Sequence, residues 1–156
     1  MIKGAMNDDF SDANEVPSNW VKWNVEGEDK ILGTLIRKWK ADNALRPGEK
    51  TENYEIKADY GSFHELDAKK KLIAEPIVIK EGEIWSIGGT DSIEKQMANI
   101  KFGQKIGLKF VALMEAKTPG FNPAKVIKVY TPKNDDGTVK VDQEWIDANT
   151  SVSGDF

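Results

Sequence analysis

Cysteine is absent from this 156-residue chain, and histidine occurs once, as His64. The first absence excludes a disulfide framework and thiolate metal sites, and it fits a reducing compartment. The second leaves no His/Asp/Glu spacing of a zinc or two-metal centre, so neither a metal nor a cofactor is expected and enzymatic chemistry finds little support. Long apolar runs are also missing. Nothing approaches the roughly 20 residues needed to cross a bilayer, and no charged-then-apolar signal pattern opens the sequence. A cytoplasmic protein without membrane contact is therefore expected. Gly88-Gly89-Thr90-Asp91-Ser92 leads into a helix but lacks the lysine and spacing of a phosphate-binding loop, and it reads as a turn and a cap.

What is present is charge, unevenly distributed. The net charge is −4. Residues 1–19 hold four acids against Lys3, and residues 131–156 hold six acids against Lys133 and Lys140. The body between them, 20–130, has 19 basic and 16 acidic side chains, a net of +3. From Lys101 to Tyr130 there are six lysines and one acid, Glu115. A cationic body between anionic ends is a pattern that the overall acidity hides. An acidic arm (1–19), a packed domain (20–133) and an acidic C-terminal extension (134–156) ending in Phe156 are the expected divisions.

Periodicity predicts a mainly β domain. Lys30–Lys40 is a first long strand with Gly33 at a bulge or bend, and Tyr54–Tyr60 is a second, placing Tyr54, Ile56 and Ala58 on one face. Ile77–Ile79 and Glu83–Ile87 form a third strand or a short pair around Glu81-Gly82. Asp91–Ile100 is a helix with Thr90 or Asp91 as cap and Ile93, Met97 and Ile100 as its apolar stripe. The stretch KIGLKFVALMEAKTPGFNPAKVIKVY, residues 105–130, alternates as strand, proline-rich loop, strand. Thr138–Val141 can pair back, and Gln143–Ala148 can form one helical turn. Three strands, a helix and two strands is the order of a five-stranded OB-fold barrel, with its helix between strands 3 and 4.

With GTLIRKWK (33–40), NIKFGQKIGLKF (99–110), GFNPAKVIKVY (120–130) and the terminal Gly154-Asp155-Phe156, the chain resembles the phage-type OB-fold single-stranded DNA-binding proteins. The resemblance implies binding of single-stranded DNA with little sequence preference, in phage replication or recombination within a bacterial host cytoplasm. Arg37, Lys38, Lys40, Arg46, Lys57, Lys109, Lys117, Lys125 and Lys128 are then candidates to track phosphates. Trp39, Tyr54, Trp85, Phe121 and Tyr130 are candidates to stack on bases. Asp155 and Phe156 match the end of the partner-docking tail of that family, although Thr150–Gly154 stands where the family has a dense acidic run. Replication or recombination proteins are the implied partners, and a homo-oligomer is allowed. The alternatives are an OB-fold protein–protein adaptor, in which the lysines only solubilise, and a barrel for RNA or oligosaccharide.

Overall fold

A computed structural model describes residues 19–42, 47–115 and 124–153, with side chains to 149. The elements are β1 (Lys30–Asp42), β2 (Lys50–Phe63), β3 (Ile77–Ile79), β4 (Ile84–Ile87), α1 (Asp91–Met97), β5 (Lys105–Met114), β6 (Ala124–Tyr130) and α2 (Gln143–Ser153). All the strands join one antiparallel sheet in the order β3-β2-β1-β5-β6, with β4 also paired to β2.

Among the described residues the sheet has six strands, where a five-stranded barrel was expected. The third is split because the turn at Glu81-Gly82 lies against Ala58: Gly82 N–H donates to the Ala58 carbonyl at 2.8 Å and Ala58 N–H to the Glu83 carbonyl at 2.7 Å. β3 therefore pairs with the end of β2, at Gly61–Phe63, and β4 with its earlier part, at Tyr54–Lys57. The helix is also shorter than expected, ending at Met97 with Ile100 still buried beyond it.

The sheet does not close into a barrel. Among the described residues, no ladder joins β6 to β3 or β4. An open edge exposes backbone groups that need partners. On β6, Gln96 of α1 supplies them: its amide nitrogen donates to the Ile127 carbonyl at 2.8 Å, and its amide oxygen accepts from Val129 N–H at 2.9 Å. On β4, residues 19–21 do the same, with Ser86 N–H donating to the Asn19 carbonyl and Val21 N–H to the Ser86 carbonyl. The core is the inner face of the strands, Ile31, Leu35, Tyr54, Ile56, Phe63, Ile87, Ile106, Leu108 and Phe110, closed by Ile93 and Met97 of α1. Thr90 caps that helix, its hydroxyl accepting from Ile93 N–H.

The C-terminal extension is docked over its first part. Lys133 bridges to Val139 and Gln104 to Val141. Gly103 has φ +88, and a Cβ there would run into Ile146, so the absence of a side chain lets α2 approach. α2 is 11 residues long, more than the single turn expected.

Candidate nucleic-acid interface

Residues directly opposite each other in antiparallel strands point to the same face of a sheet. Lys30 is opposite Lys109 on β5 and Ser62 on β2, and Lys109 is opposite Lys128 on β6. Ser62–Lys30–Lys109–Lys128 is therefore one row across the sheet. The adjacent row on the same face is Tyr60–Leu32–Gly107–Tyr130. The inner positions Ile31 and Leu108 lie between the two rows and are buried, so both rows belong to the outer face.

This patch sets cationic side chains beside accessible rings. Tyr60 is 54% exposed and Tyr130 is 42% exposed, so both rings are accessible. Among the described residues, no carboxylate lies within ion-pair distance of Lys30, Lys109 or Lys128. The Lys128 ammonium lies 5.5 Å from the centre of the Tyr130 ring. A cleft of about 150 Å3 opens between the tyrosines and is lined by Lys30, Leu32, Gly107 and Lys109 as well. A Cβ on Gly107 would come within 2.7 Å of Leu32 Cδ1, so glycine keeps this floor low.

The expected residues divide sharply. Lys109, Lys128 and Tyr130 fall in the patch. Tyr54 and Trp85 do not: Tyr54 is fully buried and Trp85 is 9% exposed, its ring 5.3 Å from that of Phe63. Neither offers a face to a base. Their positions opposite Ile87 and Ile56 put both rings on the core side. Burial, with the Glu52 carboxylate accepting its hydrogen bond at 2.9 Å, pushes the Tyr54 hydroxyl pKa far up.

Arg37, Lys38, Trp39 and Lys40 lie further along β1. The Arg37 guanidinium is 4.7 Å from the Trp39 ring centre and 3.5 Å from Glu55, and the Trp39 ring also meets Trp20 at 6.0 Å. Lys38 donates to the Met97 carbonyl at the end of α1, while Lys40 is exposed. Lys57 pairs with Asp142 at 3.0 Å. Lys125 donates to the Trp23 carbonyl, beside a second cleft of about 420 Å3 lined by Lys22, Trp23, Asn24 and Leu66. That cleft is larger, but its cations are engaged, Lys22 with Glu65 at 3.0 Å. Arg46, Lys117, Phe121, Asp155 and Phe156 lie outside the described residues.

Lys30, Leu32, Tyr60 and Gly107 complete the patch, and Tyr60 escapes a reading by strict alternation. The β1–β2 register shifts between Leu32 and Gly33, where one step along β1 spans Tyr60 to Ala58. Ala58 faces the core and Tyr60, two residues on, faces outward because of that bulge. Gly33 was the available signal for it.

His64 has a structural setting. Its Nδ1 is 2.7 Å from Oδ1 of the fully buried Asp29, whose other oxygen accepts from the N–H groups of Asn24 and Val25. This ties the end of β2 to the turn before β1. Among the described residues no acid or histidine cluster is placed to hold a metal, and no helix is long and apolar enough to cross a membrane. Comparison with protein-family models, with curated proteins and with solved structures finds no match to this chain.

Proposed function

We propose that the protein binds single-stranded DNA, with little sequence preference, across the outer face of β2-β1-β5-β6. The observation that carries this is the pairing of two rows in register: Lys30, Lys109 and Lys128, without a carboxylate partner among the described residues, beside exposed Tyr60 and Tyr130. Ammonium groups spaced across strands suit a phosphate backbone, and sequence-tolerant stacking suits the rings. An adaptor would need its lysines dispersed and its aromatics buried; here both kinds share one face. The strand order, with α1 between β4 and β5, supports an OB-type plan in which Gln96 stands in for the closing strand. Such a protein would coat strands during phage replication or recombination, and the terminal Asp155-Phe156 would recruit partner proteins.

A salt-resolved titration with poly-dT, in competition with RNA and duplex, tests this. Poly-dT should bind most tightly, with affinity falling steeply as salt rises. Equal retention of duplex, or binding without salt dependence, would sink the proposal.

A further inference from the structure

The connection leaving β2 displays three consecutive lysines, Lys69, Lys70 and Lys71, on a built loop. Leu66 and Leu72 bridge across its base, and Ile73 N–H donates to the Glu65 carbonyl at 2.9 Å. Asp67 N–H donates to the Lys71 carbonyl at 2.8 Å, and Lys70 N–H to the Asp67 carbonyl at 2.9 Å. Oδ1 of Asp67 then accepts from the N–H groups of Lys69 and Lys71, at 2.8 and 3.0 Å. The carboxylate thus braces the backbone. Lys70 holds φ +63, a conformation that glycine or asparagine adopts at lower cost. All three side chains are exposed, and no carboxylate is within ion-pair distance of them among the described residues. Three like charges on a braced loop repel one another, and a polyanion would relieve that repulsion.

The loop's place on the sheet says where such a polyanion would come from. The lysine row Lys128–Lys109–Lys30 continues into Ser62 of β2, and Ser62 is opposite Val78 of β3, which is 62% exposed. The hairpin grows from the end of that same β2. A chain crossing from β6 to β2 along the row arrives at the strand from whose end the hairpin grows. Exposed Val78 gives it apolar ground.

We infer that the Lys69–Lys71 hairpin is a second phosphate-binding element, which takes the phosphates of the same single strand where it leaves the sheet face. This rests on the DNA-binding proposal above. The competing role is that of charged guards beside the exposed edge strand β3.

The test uses the full chain, the Lys69→Gln/Lys70→Gln/Lys71→Gln variant, and two oligo-dT probes of about 5 and about 16 nucleotides, within the range covered by one such domain. The variant should bind the short probe as the wild type does. On the long probe it should bind about tenfold more weakly, and its log-log salt slope should shrink by up to about 2, near 0.7 per phosphate contact. Lysine-to-arginine replacements at the three positions should restore both. Unchanged affinity and slope on the long probe would overturn the inference, as would lost solubility with unchanged affinity, which marks guards. Equal weakening on both probes would overturn it too, because the loop would then be supporting the face. If the wild type binds neither probe, the underlying DNA-binding proposal fails instead.

Discussion

Around Thr34, on the outer face of the sheet, the cations are matched with anions: Lys57 with Asp142 at 3.0 Å, Lys105 with Asp59 at 2.9 Å and, further along, Arg37 with Glu55 at 3.5 Å. Around Leu32, one row away on the same face, Lys30, Lys109 and Lys128 have no such partner among the described residues. The aromatics divide in the same way. Trp39 is engaged by Trp20 and Arg37, whereas Tyr60 and Tyr130 meet no other aromatic ring among the described residues, and Tyr130 carries only the Lys128 ammonium at 5.5 Å. A cation already paired must give up its carboxylate to take a phosphate, so its net gain is small. An unpaired one releases only counterions from the nucleic acid. The number of lysines in a segment therefore says less about binding than whether each has an acid opposite it.

The largest effect should come from replacing one set of cations or the other. In the Lys30→Gln/Lys109→Gln/Lys128→Gln variant, the log-log salt slope for poly-dT should shrink by about 2, near 0.7 for each lost contact, with little change in melting temperature. The Arg37→Gln/Lys57→Gln/Lys105→Gln variant should keep its slope and melt lower, since it breaks ion pairs. Similar slopes in the two variants would erase the distinction between the halves.

The rings should give the next largest effect. Tyr60→Ala and Tyr130→Ala should each lose about 1–3 kcal/mol of binding if a base stacks there, while phenylalanine at either position should retain most of it. Trp39→Ala should instead lose stability through its contacts with Trp20 and Arg37. Gly107→Val probes the floor between the tyrosines: it should weaken binding by filling the cleft. Parallel titration and thermal melting separate these outcomes, and an affinity loss for Trp39→Ala matching that of the tyrosines would move the site along β1.

Much of this architecture was legible in alternation and turn chemistry. The long strands, the Thr90 cap and the pair β5–β6 follow from apolar period and capping chemistry. The break at Glu81-Gly82 was legible as one of two readings, a single strand or a short pair, and the structure forms the pair. The open edge was not legible, because it depends on which strand lies alongside. Nothing local to Gln96 says that its amide will serve as a strand edge for β6. At the candidate site, Lys109, Lys128 and Tyr130 followed from their alternation with buried neighbours. Tyr60 did not, because a one-residue bulge reverses the facing that simple alternation assigns. Tyr54 and Trp85 carry the residue types of a stacking platform but lie at core positions, and composition cannot separate those cases.

The smallest effect, and the one that isolates a single contact between the halves, belongs to Asp142. Its carboxylate accepts from Thr34 Oγ1 at 3.0 Å and from Trp145 N–H at 3.0 Å, and it pairs with Lys57. Burial pushes its pKa up, but the Trp145 N–H, Lys57 and the Thr34 hydroxyl outweigh that and hold it below the ordinary value of 3.8. A carboxylate depressed in this way stabilises the fold fully above its unfolded pKa, and the contribution fades as pH falls through the lower folded value. Asparagine at 142 keeps a side-chain oxygen to cap α2 but carries no charge at any pH. Asp142→Asn should therefore cost about 1 kcal/mol at neutral pH, as for a partly buried charged hydrogen bond. The gap to the wild type should narrow on acidification below about pH 4. Lys57, relieved of its partner, becomes free to meet a phosphate, so the salt slope for poly-dT should steepen by up to about 0.7 at neutral pH. Chemical denaturation across pH checks the first effect and a salt titration the second. A variant that loses stability while its slope stays fixed would show that Asp142 only anchors α2, and that something other than this ion pair keeps Lys57 out of the DNA path.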